Sequence, residues 1–197
     1  MLLATIFTMY STMMPIIMSG LFNMIFCKSS LMKSLQVPMD FDCNFVDGKR
    51  IFGSHKTWKG FFGYIVFNAF SSILWGSLCN LCNINQYNYF YINHENTILY
   101  NMLIGALLGF TYAIFELPNS FMKRRLNIVP GKTSNNWTKI IFVFIDQVDS
   151  IVGCALLIWL FYDIGMVIFV AYIIFGFVSH LFMNMFMFKL KLRRDIV

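Results

Sequence analysis

Two aspartates, Asp146 and Asp149, stand inside the apolar run FVFIDQVDSIVG at 142–153. A carboxylate within a membrane span costs roughly 2.5–3.5 kcal/mol at the helix centre and less near an end. Something must offset that cost. The spacing puts Asp146, Asp149, Ser150 and Gly153 at i, i+3, i+4 and i+7, on one helical face. A second polar face lies in IFELPNSFMKRRLNIVPGK, where Glu116, Ser120, Lys123 and Asn127 recur at i, i+4, i+7 and i+11. This holds on a helix that continues through Pro118, where a kink is expected because the proline ring clashes with the carbonyl one turn back.

If the two faces meet, three carboxylates lie beneath a ring of Lys and Arg. A polyphosphate with a divalent metal suits such a place. Carboxylate oxygens are the preferred ligands of Mg²⁺, which is held by one or two of them together with water and substrate phosphates. Lys123, Arg124 and neighbouring cations would take phosphate oxygens, and Pro130-Gly131 would supply a turn that a phosphate can approach closely. On residue types alone two other readings stay open: the aspartates as a proton or cation relay of a transporter, and the basic cluster as a topology anchor.

A second dense stretch, PMDFDCNFVDGKRIFGSHKTWKGF, spans 38–61 and holds Asp40, Asp42 and Asp47 with His55, Lys56, Trp58 and Lys59. Its glycines at 48, 53 and 60 favour turns. Lys56 and Lys59 can reach phosphates while Trp58 contacts a base or lipid; equally, Trp58 beside Lys59 can serve as an interfacial anchor.

The elements that must position these residues are membrane helices. The chain of 197 residues is 58% hydrophobic with 23 Phe, and only 12% of it is charged. Ordinary soluble domains are about 45–50% apolar. Five runs reach the roughly 20 residues a span needs: 2–27, 60–82, 98–118, 140–162 and 165–188. The first is read as a span and not as a signal peptide. All fifteen Lys and Arg residues fall on one side of this arrangement, in the segments 28–59 and 119–139 and in the C-terminal tail. The positive-inside rule then places the N-terminus outside, and both basic loops and the C-terminus in the cytoplasm. The expectation is an all-α, multi-pass integral protein of the cell's inner or plasma membrane. The tyrosine-rich segment 83–97 would sit at the outer interface. The five cysteines lack a paired metal-site spacing, and the CxxC of Cys79 and Cys82 is read as packing. His180 and Asn184 in the fifth run are expected to hydrogen-bond another helix.

The two loops together resemble the membrane CTP transferases that make CDP-activated lipids, and within them the archaeal CDP-archaeol synthase family. The residues that carry the resemblance are Pro38-Met39-Asp40, Asp47-Gly48-Lys49-Arg50 and Gly53-Ser54-His55-Lys56-Thr57-Trp58-Lys59-Gly60. They are followed by Glu116, Ser120, Lys123-Arg124-Arg125, Pro130-Gly131-Lys132 and Asp146-Gln147-Val148-Asp149. The related CDP-diacylglycerol synthases share Ser-x-x-Lys-Arg, Pro-Gly and Asp-Arg-x-Asp-Ser, matched at 120–124, 130–131 and 146–150. The order fits across about 25–160, most of the chain. Departures are Glu116 where the family has Asp, Ser54-His55 in place of an acidic linker, and TSNNWTK at 133–139, which reads as an insertion. Gln147 in place of Arg places the chain on the archaeol-type side.

The resemblance implies a single membrane-embedded CTP transferase-like domain over 1–197, in which a lipid phosphate attacks the α-phosphorus of CTP and pyrophosphate leaves. It implies Mg²⁺ on Asp146, Asp149 and Glu116, with Lys123 and Arg124 on phosphates. Ser120, Pro130, Gly131, Lys56, Trp58 and Lys59 would contact substrate. CTP, a membrane lipid phosphate and the bilayer are the expected partners, and no nucleic acid. A transporter would need polar residues continuing to the outer side, whereas 154–162 reads CALLIWLFY. The spaced acids of CDP-alcohol phosphotransferases do not follow Asp47-Gly48. A non-catalytic scaffold would leave the paired acid and base faces without a reason.

Overall fold

A computed structural model describes residues 2–128 and 138–189. Among them five long helices are apolar enough to cross a membrane, and no strand is present. They are α1 (Leu2–Lys28), α2 (Trp58–Leu81), α3 (Ile98–Arg125), α4 (Thr138–Tyr162) and α5 (Gly165–Lys189). With these spans the chain is an integral, multi-pass membrane protein.

The starts of α2 and α3 are set by threonine caps: Thr57 Oγ1 accepts from the Gly60 amide and Thr97 Oγ1 from the Tyr100 amide, both at 3.2 Å. The third span was expected to end near Pro118, but α3 runs unbroken through it to Arg125. It stops where Asn127 turns left-handed (φ 59°). The Ile128 amide donates to Lys123 O and the Asn127 amide to Arg124 O, which satisfies the last carbonyls. Asn127 is thus the residue that terminates α3, not a further member of its polar face.

The antiparallel pair α2 and α3 is the most extensively packed; α1 lies on α2, α4 on α3 and α5 on α4. Small residues allow the close approach. In α3, Gly105 lies against Ser72 and the Asn68 carbonyl, and Gly109 against the Tyr64 backbone. Gly153 of α4 receives the Phe115 ring of α3, and Gly176 of α5 receives Ile151. Without a hydrophobic drive between helices in lipid, such contacts supply the association by close van der Waals packing. The core joins Met9, Met13 and Ile16 of α1, Leu108 and Tyr112 of α3, Ile151, Cys154 and Ile158 of α4, and Tyr172 of α5.

The 83–97 connection closes the end of the bundle away from the basic loops. Phe90 is buried there, the Tyr89 amide donates to Thr12 Oγ1 at 3.1 Å, and Tyr100 OH donates to Phe90 O at 2.9 Å. Tyr89 and Tyr91 of this segment are partly buried against the core.

The α2–α3 contact is directly testable. A Cβ at Gly109 would lie 2.3 Å from Tyr64 O, whereas one at Gly20 meets nothing within 4 Å. Gly109→Ala is expected to lower the unfolding temperature in detergent, at a cost of about 1–3 kcal/mol. Gly20→Ala should leave it unchanged.

Candidate active site

Asp40 organises the 29–57 loop. It is buried, and its carboxylate accepts from Arg50 (2.5 Å), from the Phe52 and Gly53 amides (3.0 and 2.9 Å) and from the Asp42 amide (3.2 Å). Burial alone would raise its pKa. The Arg50 hydrogen bond and those three amides outweigh it and hold the carboxyl at about 2. Gly53 adopts φ +100°, a value L-residues rarely reach, which turns its amide toward Asp40. Short bridges Pro38–Thr57 and Asn44–Arg50 close the loop on itself.

The loop is stitched to α3 at two places. Lys49 Nζ donates to Arg125 O at 2.7 Å, while the Arg125 guanidinium returns bonds to the Lys49 and Arg50 carbonyls and pairs with Asp47 at 3.0 Å. Deeper in, Lys56 forms an ion pair with Glu116.

Glu116, Asn119, Ser120 and Lys123 form one face of α3, opposite Asp146, Asp149 and Ser150 of α4. Asn119 Nδ2 donates to both aspartates, at 2.6 Å to Asp146 and 2.8 Å to Asp149. Lys123 forms an ion pair with Asp146. Ser150 donates from its amide to Asp149 at 2.7 Å, and its hydroxyl lies 3.1 Å from Asp149 and 3.3 Å from Glu116. Every carboxylate thus has a cation or N–H donor, as a charge in a low-dielectric setting requires. Glu116, Asn119, Ser120, Lys123, Asp146 and Asp149 line a cavity of about 690 Å³ that reaches from the loop, at His55 and Phe52, to the apolar residues Ile17, Leu21 and Met183 between α1 and α5.

Of the residues singled out from sequence, Glu116, Ser120, Lys123, Arg124, Asp146, Asp149, Lys56 and Lys59 all line this cavity. Arg124 presents a buried Nε that has no partner among the described residues. Pro130 and Gly131 lie outside the described residues. Lys59 and Trp58 also make structural contacts. Lys59 is fully buried, and its ammonium donates to Ser29 O at 2.8 Å and Cys27 O at 3.5 Å, at the C-terminus of α1. Helix carbonyls without intrahelical partners attract a cation there, so Lys59 caps α1 from the cavity wall. Trp58 stays off the cavity wall and stacks on Phe62, against Phe61 and Phe41, an aromatic group at the membrane entry of α2. In α5, Asn184 donates to Gln147 Oε1 at 2.8 Å and the His180 ring lies 3.3 Å from Gln147 O, which is the helix-to-helix bonding expected of them.

Sequence reasoning passed over Asn119, although positions 116, 119, 120 and 123 share one helical face. Asp40 and Gln147 were seen only as parts of motifs. Nothing local says that an aspartate in a turn-rich loop gathers Arg50 and three backbone amides.

Among the described residues no three His, Cys, Asp or Glu side chains group as a ready metal cluster. The donor chemistry nevertheless fits a hard divalent cation: carboxylates from α4 converge on a single amide nitrogen, and Asn119 Oδ1 beside them is buried with no partner among the described residues.

A family model described as CarS-like, CDP-archaeol synthase, matches residues 1–196. A protein of Thermofilum pendens named CDP-archaeol synthase is 32% identical over 157 residues, which are 79% of this chain and 64% of that protein. The protein of that name from Archaeoglobus fulgidus is 32% identical over 110 residues, 56% of this chain and 54% of its own length. The one from Methanospirillum hungatei is 33% identical over 130 residues, 66% of this chain and 68% of its own. The match thus spans between about half and two thirds of these relatives. No solved structure matches the chain.

The Asp40 hub has a measurable consequence. Its folded pKa lies below the ordinary 3.8, so its contribution is complete at neutral pH and fades as the pH falls through 3.8 toward about 2. Asp40→Asn removes that contribution at any pH and is expected to cost ~2 kcal/mol. Hydrogen exchange at the Phe52 and Gly53 amides should speed up, while α4 amides keep their protection.

Proposed function

The chain belongs to the CarS-like CDP-archaeol synthase family, and on that premise we propose that it transfers a cytidylyl group from CTP to a membrane lipid phosphate. The observation that carries this reading is the meeting of two faces in one cavity. Asp146 and Asp149 lie opposite Asn119 and Lys123, beside the Lys56–Glu116 pair, and the same cavity runs on between α1 and α5. One end suits a polyphosphate and the other an apolar chain.

In the proposed reaction an oxygen of the lipid phosphate attacks the α-phosphorus of CTP. The bond from that phosphorus to the oxygen bridging to the β-phosphate breaks, and pyrophosphate leaves with both electrons. The attacking oxygen is already anionic, so the site needs no strong general base. Its work is positioning and charge neutralisation. Lys123 and Arg124 hold phosphate oxygens, and Arg124 brings its unpartnered Nε to that task. Ser120 donates a hydrogen bond, and Lys56 stays near Glu116 as a second cation on the same wall. Asp146 and Asp149, with Glu116 beside them, would hold Mg²⁺, which lowers the charge of the reacting phosphates. Lys59 serves the reaction by fixing the end of α1, and Trp58 by anchoring α2.

The clustering of all fifteen Lys and Arg residues at one end supports an active site facing the cytoplasm, with the N-terminus outside and the C-terminus inside. That orientation fits the inner or plasma membrane, where CTP is available on one side. The relatives' name makes an ether-linked isoprenoid glycerophosphate the first acceptor to offer, with phosphatidic acid second. A cation pathway is disfavoured, because beyond Gly153 the α4 residues Cys154, Ala155, Leu157 and Ile158 are buried in the apolar core.

The test uses purified protein in detergent, labelled CTP and Mg²⁺, with each lipid phosphate supplied separately. Label is expected in the organic phase with one of them. Asp149→Asn should lower that turnover by more than about 100-fold while the protein still elutes as a folded species. Failure to bind CTP would sink the assignment, and turnover kept by Asp149→Asn would remove Asp149 as a metal ligand.

A further inference from the structure

Asn119 uses only half of its hydrogen-bonding capacity. The side-chain amide donates through Nδ2 to Asp146 and Asp149 at 2.6 and 2.8 Å. Its Oδ1 is buried and accepts nothing among the described residues. The residue as a whole is 8% exposed and lines the cavity. A buried carbonyl oxygen left unpaired costs about 1–3 kcal/mol, so its position asks for a reason. Two donors on the facing helix turns are engaged elsewhere: Lys123 on Asp146, and Ser150 on Asp149 and Glu116. A positive group facing Oδ1 would satisfy it.

Resting on the reading above and on its divalent cation, we propose that Asn119 is a further oxygen donor to that cation, engaged by a half-turn of its carboxamide. The terminal torsion of Asn is broad and roughly two-fold, so the turn exchanges Nδ2 and Oδ1 with little motion of the carbon frame. Without a cation, the two N–H groups bridge Asp146 and Asp149 and offset their repulsion. With a cation between the carboxylates, an N–H pointing at it is repelled, and Oδ1 faces it instead. Hard divalent cations accept amide carbonyl oxygens alongside carboxylates. Asn119 thereby keeps the site assembled in both states, which neither a leucine nor an aspartate at this place can do.

The experiment measures Mn²⁺ binding by the loss of its free-ion spin-resonance signal, on the full chain in detergent without CTP or lipid. Wild type is compared with Asn119→Leu, which keeps the shape but has no oxygen, and Asn119→Asp, which has oxygen at both ends. The expected result is a loss of Mn²⁺ affinity of about tenfold or more for Asn119→Leu, with Asn119→Asp binding at least as tightly as wild type. In chelator, Asn119→Asp should unfold at a lower temperature than wild type, since three carboxylates then adjoin, and Mn²⁺ should restore it. Wild-type affinity in Asn119→Leu would overturn the proposal, because the amide would then only fill the space. Equal weakening in both variants would also overturn it, by showing a packing role alone. If Asn119→Leu does not fold, Asn119→Ala takes its place in the same comparison. A wild-type protein that binds no Mn²⁺ would instead fail the cation assignment, a result separate from the loss of turnover that tests the reaction itself.

Discussion

Carboxylates inside a membrane helix need partners in reach, and the rest of this structure follows from meeting that need for Asp146 and Asp149. The partners come from α3: Asn119 bridges both aspartates and Lys123 pairs with Asp146. For this, α3 has to remain helical beyond Pro118, because both partners lie C-terminal to it. Proline lacks an N–H and leaves the carbonyl one turn back without its usual donor. Membrane helices tolerate this where neighbouring structure compensates. Gly153 then lets α4 close onto the Phe115 ring of α3, so that the two polar faces come within hydrogen-bonding distance.

The loop ahead of α2 extends the same logic outward. Asp40 draws Arg50 and three backbone amides around itself and so fixes the course of the chain from Pro38 to Gly53. That course delivers Lys56 to Glu116 and sets Thr57 to cap α2. The reciprocal bonds between Lys49 and Arg125 lock the loop to the end of α3. The acids and bases of this loop are therefore mostly architectural, and Lys56 is the cation they carry to the cavity wall.

The fifth helix contributes from the other side. Asn184 and His180 grip Gln147, the residue next to Asp146, and Gly176 admits Ile151 close beside it. This polar seam holds α4 in rotation while α1 and α5 leave the cavity an apolar margin of Ile17, Leu21 and Met183. A polar end and an apolar end in one cavity are what the proposed lipid phosphate would need.

The sequence by itself determined the five spans and the gathering of the basic residues at one end, because apolar length and charge placement are local properties summed along the chain. It also determined that Glu116, Ser120 and Lys123 share one helical face and Asp146 and Asp149 another, because helical periodicity groups them; that the two faces meet was left to the fold. Tertiary structure decided what each cation pairs with. Lys59 and Lys56 stand three residues apart and look alike in sequence, yet one is buried on the α1 carbonyls and the other meets Glu116. Trp58 turned to its aromatic neighbours for the same reason: direction at a helix start is set by what packs there. Asn119 and Asp40 became visible only in three dimensions. Their roles rest on donors and acceptors contributed by distant segments, and no spacing rule records such a meeting.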